Sequence, residues 1–246
     1  MDRKIYGIMY KTEEKYWWYA GERFIVMQFL AKYYPSAKNL KLLDVGCGTG
    51  INVKLLNKYG MAYGIDVSDD ALSYCKLRKI PRVKKSDVMD IKFKDETFDA
   101  VTSLGVFYHK NIIDDLRGMG ETFRILKPGG RLLFFDCAMM QLYGNHDLAF
   151  QGIRRYSKKE LKSKLEKAGF EVEEISYVNS LLFTPLLIKR KLERLANSSP
   201  KSEIQAGINP ALNSILTFIF KLEILGLKYL KYPFGINIVA VGRKPE

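Results

Sequence analysis

The stretch Leu42–Leu56, "LLDVGCGTGINVKLL", decides the fold. An apolar run meets Asp44, glycines recur at Gly46, Gly48 and Gly50, and a helical pattern follows. A strand that ends in a glycine loop and feeds a helix can bring bare backbone and unpaired helix amides up to a ligand, which makes a nucleotide site. The spacing here is G-x-G-x-G. The dinucleotide fingerprint needs its third glycine where Ile51 stands, and no Lys-Ser/Thr pair follows as in a P-loop. Asp44 sharpens the reading. An acid repels a pyrophosphate and attracts an ammonium or sulfonium group. The glycine alternation leads us to expect a ligand pressed against the loop backbone.

Outward from that loop, strand-like and helix-like segments alternate. Residues 39–45 and "MAYGIDV" read as strands, with "INVKLLNKYG" between them as a helix stopped by Gly60. "SDDALSYCKLRK" opens on Ser68, a good N-cap, with acids in its first turn. A weak third strand, "RVKKSDV", and a fourth, "TFDAVTSLG", come next. The helix "NIIDDLRGMGETFRIL" runs into "KPGG" and then the strand "RLLFFDCA". "SKKELKSKLEKAGF" has Ser157 as cap, Glu160 at the capping-box position and Gly169 as terminator. "EVEEISYV" and "GINIVAVGRK" are late strands. This order predicts an α/β, doubly wound, Rossmann-like sheet, mostly parallel and covered by helices on both faces.

Upstream, residues 13–34 read as one helix. Downstream, residues 179–234 interrupt the last strand pair and read as two amphipathic helices joined by a polar linker. The expected organisation is a single domain: a helical cap (1–37), a core (38–178), a helical insertion or lid (179–234) and a last strand (235–246).

The 246 residues carry a net charge of +13, with 17 basic and 9 acidic side chains in residues 151–246. Such an excess favours anionic partners, whether nucleic acid, phosphate-bearing substrates or membrane. Cys47, Cys75 and Cys137 show no CxxC or CxxH spacing, so neither a disulfide framework nor a zinc site is indicated. Free thiols and the lack of a signal-peptide pattern at the N-terminus give a cytoplasmic expectation, with peripheral membrane contact as an addition.

The motif Asp44-Val45-Gly46-Cys47-Gly48-Thr49-Gly50 resembles motif I of the class I S-adenosylmethionine-dependent methyltransferases, of the type 11-like kind. Further motifs fall into register over residues 38–178. The resemblance implies a seven-stranded sheet and S-adenosylmethionine as cofactor. It implies cofactor contacts from Asp44, Gly46, Cys47, Gly48 and Gly50, from Asp66 with Val67 at the ribose, from Asp87 with Val88 at the adenine, and from Ser103 and Leu104 after the fourth strand. In relatives an N-terminal segment covers the site, so Trp18 and Arg23 are expected there, Arg23 at the methionine carboxylate. His109 follows the fourth strand where the resemblance implies the methyl group points, and is the candidate base. Phe107 and Tyr108 stand where some O-methyltransferases have acids, so no metal is expected.

The function expected is methyl transfer to a small-molecule, lipid-linked or glycan-linked acceptor, at oxygen. Two alternatives stand beside it. One is an RNA methyltransferase, favoured by the charge but lacking an N-P-P-Y-type motif at Ser103-Leu104-Gly105-Val106. The other is a cofactor-binding regulator without turnover.

Overall fold

The computed structural model describes residues 3–36, 39–195 and 207–246. Seven strands form one sheet: β1 (Leu40–Val45), β2 (Gly60–Asp66), β3 (Val83–Lys85), β4 (Phe98–Leu104), β5 (Leu126–Cys137), β6 (Glu171–Val178) and β7 (Asn237–Arg243). Their spatial order is β3-β2-β1-β4-β5-β7-β6. The pairs from β3 through β5 are parallel, and β7 runs antiparallel to both β5 and β6. The chain leaves β1 towards β2 and β3 and then returns to β4 on the other side of β1. That reversal opens a crevice at the carboxyl ends of β1 and β4, where open α/β sheets bind ligands.

Alternate residues of each strand feed two apolar layers. Leu42, Leu133 and Val239 face one layer with Val26, Phe29 and Phe220. Leu43, Leu132 and Ile238 face the other with Met119, Leu161 and Leu165. Burial on both faces explains why the strands read as apolar runs rather than as alternations.

The helices that flank the site are α1 (Arg3–Thr12), α2 (Trp17–Tyr33), α3 (Ile51–Leu56), α4 (Asp69–Leu77) and α5 (Asp115–Ile125). They are followed by a 3₁₀ turn at Met140–Leu142, then α6 (Asn145–Ala149), α7 (Lys158–Lys167), α8 (Phe183–Leu195) and α9 (Pro210–Gly226). Ser68 and Ser157 cap α4 and α7 through Ala71 N and Glu160 N.

Three local expectations are corrected. The helix expected over 13–34 begins only at Trp17, because Glu13 lies in a turn where its buried side chain takes hydrogen bonds from Thr49 and Arg78, and a separate helix, α1, precedes that turn. Gly60 does not stop α3, which ends at Leu56. It opens β2, where a β-carbon would stand 2.1 Å from the Leu40 carbonyl oxygen. "KPGG" lies inside β5, which begins directly after α5. The interruption before β7 holds α8 and α9. Asn209 caps α9 by accepting from Ala211 N at 2.9 Å. Helix α9 crosses α2 with Phe220 seated over Gly21.

Candidate active site

The loop after β1 turns through Gly46, Gly48 and Gly50, all at positive φ (65°, 53° and 86°), a region costly for residues with a β-carbon. The expected cause is only part of the story. A β-carbon at Gly46 would lie 2.5 Å from Val106, and one at Gly50 3.0 Å from Cys75 Sγ. Much of the exclusion thus comes from the protein's own packing. Beneath the loop the Cys75 thiol donates to Gly48 O at 3.2 Å.

The loop divides a cleft in two. One half, about 290 Å³, is lined by Asp66, Val67, Asp87, Val88 and His109, with Tyr6 reaching in from α1. The other, about 110 Å³, is lined by Cys47, Gly48, Asn52 and Leu104, by Trp18, Tyr19 and Glu22 of α2, and by Asp136 and Cys137 at the end of β5. Gly46, Gly105 and Tyr108 belong to both halves.

Asp66 ends β2 and accepts from Gly48 N at 3.0 Å and Ser68 N at 2.9 Å, so its carboxylate is fixed while lone pairs remain. Burial raises its pKa. Asp87 accepts from Met89 N at 2.8 Å and stands beside Val88. Asp44 lies behind the lining. Thr102 Oγ1 donates to it at 2.7 Å across the β1–β4 seam, and burial without a cationic partner pushes its pKa up to about 7. Gly50 and Ser103 likewise stand outside the lining. Arg23 also stands away from it, donating to the carbonyls of Glu13 and Glu14, where it holds the turn between α1 and α2. His109 accepts from Asn111 N through Nδ1 at 3.2 Å, and its buried Nε2 makes no hydrogen bond. Burial pulls its pKa down to about 4.

The smaller half holds groups that the sequence reading missed. Trp18 Nε1 donates to Glu22 at 2.8 Å, and burial lifts Glu22 to about 8. Asp136 accepts from Cys137 N at 2.7 Å and Tyr108 N at 3.2 Å, and burial lifts it to about 7. His146 stacks on Phe150, with ring centroids 4.8 Å apart. A signal was available for Asp136, because it ends "LLFFD" as Asp44 follows "LL". Glu22 had none, since it sits within an aromatic helix.

Five carboxyl side chains, those of Glu13, Glu22, Asp66, Asp87 and Asp136, line the two halves, and among the described residues no Lys or Arg does. In a chain of net charge +13 that segregation is pronounced. The donor set suits a cationic ligand and opposes a pyrophosphate. The orphaned buried Asn52 Oδ1 adds an acceptor fitted to an ammonium group. Among the described residues no cluster of three or more His, Cys, Asp and Glu could hold a metal ion.

A family profile described as a methyltransferase domain matches residues 43–134. An uncharacterised protein of Methanocaldococcus jannaschii is 30% identical over 163 residues, 66% of this chain and 68% of that protein. The sterol 24-C-methyltransferase of Debaryomyces hansenii is 27% identical over 193 residues, 63% of this chain and 48% of that protein. The mouse protein named "Probable tRNA methyltransferase 9B" is 32% identical over 117 residues, 47% of this chain and 25% of that protein. The chain thus spans about half the length of the sterol relative and a quarter of the tRNA relative. Phosphoethanolamine N-methyltransferase 2 of Haemonchus contortus, solved with S-adenosylmethionine, shares the fold with a TM-score of 0.58 at 19% identity, over 89% of this chain and 52% of that one. With its sheet order and glycine loop, the chain belongs to the class I S-adenosylmethionine-dependent methyltransferases.

Proposed function

We propose that this chain transfers a methyl group from S-adenosylmethionine to the oxygen of a small-molecule or lipid-linked acceptor. The observation that carries the reading is the divided cleft at the β1–β4 reversal, acidic throughout in a basic chain. Asp66 and Asp87 would hold the adenosine part, the two oxygens of Asp66 suiting a vicinal diol. Gly46, Gly48 and Asn52 would hold the methionine part. The cofactor brings an already activated methyl group, so the protein's work is alignment and the exclusion of water.

A hydroxyl acceptor needs a proton acceptor. His109 lies in the half assigned to adenosine, and a base of pKa about 4 is weak for that task. Glu22 faces the smaller half, and its pKa of about 8 lies close to working pH. A cationic ligand nearby lowers that value further towards neutrality. We therefore assign proton acceptance to Glu22 and a cofactor-positioning role to His109.

RNA is the second reading, favoured by the tRNA relative and the net charge. The absence of Lys and Arg from the described cleft lining speaks for a small acceptor inside it. Calorimetry with S-adenosylmethionine, its demethylated product and NAD tests the cofactor reading. The first two are expected to bind and NAD not, and the reverse pattern would overturn it. Asp66→Ala is expected to weaken binding by about 1.5–3 kcal/mol, the range for hydrogen bonds to a charged group.

A further inference from the structure

We infer that the outward faces of α8 and α9 form a docking surface for an anionic lipid bilayer. A helix on a globular protein normally turns its apolar stripe inward. Helix α9 does so with Phe220 and Ile224, which pack towards α2. Its opposite face is apolar as well. Ile215, Phe218, Leu222 and Leu225 recur at intervals of three and four residues, all exposed, Phe218 to 63%. Helix α8 repeats the pattern with Ile188, Leu192 and Leu195, Leu192 being 60% exposed. Monomers rarely leave apolar faces of this extent open unless something covers them.

Charge complementarity selects the occupant. Lys191 is exposed beside the α8 stripe, Lys228 is exposed just past the end of α9, and Lys221 borders the α9 stripe with its ammonium 5.6 Å from the centroid of the Phe24 ring of α2. The acids of these helices are engaged elsewhere. Glu223 is buried and accepts from Ser180 N, and Glu193 pairs with Arg190 and Lys189. A second copy docking face to face would bring like charges together with no unengaged acid on either described helix to meet them. Apolar side chains bordered by lysines are what an anionic interface accepts, the first entering the acyl boundary and the second meeting headgroups. No described helix is long and apolar enough to cross the membrane.

The surface is tied to the smaller half of the cleft. Arg194 of α8 donates to Gln141 O and Tyr143 O, each at 3.0 Å, in the turn that leads to His146 and Phe150. Asn213 of α9 accepts from Trp17 N at 2.8 Å, at the start of the helix that carries Trp18 and Glu22. Docking would thus bear on two helices that brace walls of the smaller half.

The inference stands apart from the methyl-transfer reading, because vesicle binding needs no turnover. The full chain is sedimented with vesicles of phosphatidylcholine alone and of phosphatidylcholine with phosphatidylglycerol, at low and high salt. It is expected to pellet with the anionic vesicles at low salt and to release at high salt. Phe218→Gln with Leu222→Gln, both exposed, is expected to melt as the parent does and to bind about tenfold more weakly or worse. Lys191→Glu with Lys228→Glu is expected to weaken binding to anionic vesicles about fivefold or more for each charge. Failure of the intact chain to pellet at low salt overturns the inference, as does undiminished binding by the Gln variant. A solution dimer that ignores vesicles and falls apart in the Gln variant would assign the surface to a second copy instead.

Discussion

At the scale of single residues, the cleft is governed by carboxyl groups that burial holds near neutrality. Glu22 carries one hydrogen bond, from the indole of Trp18, and no cation neutralises it within the cleft lining. Substitution by Gln keeps an acceptor for that indole and removes only the proton-accepting function. Glu22→Gln is therefore expected to lower kcat about 10²–10⁴-fold while leaving the cofactor dissociation constant within a factor of about three. Paired turnover and calorimetry check this. An equal loss in both would make Glu22 a cofactor ligand. His109→Ala should show the opposite split, in affinity more than in rate, because His109 shares its half of the cleft with Asp66 and Asp87.

At the scale of elements, the crossing of α2 and α9 positions the wall that carries Trp18 and Glu22. Trp17 and Phe220 meet edge to face with centroids 6.0 Å apart, and Phe220 lies against Gly21. In an isolated helix Gly→Ala stabilises by about 1 kcal/mol. Here the added β-carbon would fall 1.9 Å from the Phe220 ring, so the sign reverses. Gly21→Ala is expected to destabilise by about 1–3 kcal/mol, as overpacking does. Adding Phe220→Ala should make the pair less damaging than the sum of the two single changes, as thermal melts of the full cycle will read. Strict additivity would mean that the two helices do not share this contact in solution.

At the scale of the whole molecule, burial of Asp44, Asp136 and Glu22 links stability to pH. Their folded pKa values of about 7, 7 and 8 stand above the ordinary 3.8, 3.8 and 4.5. The folded state therefore holds more protons than the unfolded chain between those limits, and stability falls as pH rises through the folded values. His109 works the other way, because its folded value of about 4 lies below the ordinary 6.5. The two trends oppose each other below pH 6.5. Above pH 6.5 the opposing His109 contribution fades, and the carboxyl contributions, each below about 1.4 kcal/mol per pH unit, dominate until they die away near pH 8. Thermal melts of ligand-free protein are expected to show a midpoint that declines over this window, with a shallower decline in Glu22→Gln. A midpoint that rises with pH would mean these groups are ionised and solvated in the folded state.

The sequence by itself determined the order of strands and helices, the glycine loop after β1 and the acids at the ends of β2 and β3. These are local matters: the apolar period, cap residues and turn glycines fix each element where it stands, and the spacing of Asp66 and Asp87 follows from the alternation. It also pointed to helices between the last two strands, where α8 and α9 stand. Only the tertiary structure decided the rest. It delayed the expected first helix to Trp17 and left Glu13 in a turn, because Thr49 and Arg78, distant in sequence, take up that carboxylate. It drew Arg23 to the carbonyls of that turn and joined Asp44 to Thr102 across the β1–β4 seam. It brought Glu22 of α2 and Asp136 of β5 into one chamber, a juxtaposition across more than a hundred residues that no periodicity encodes. It also turned one apolar face of α9 to the core and left the other outside, because α2 offers the helix a single side to pack against.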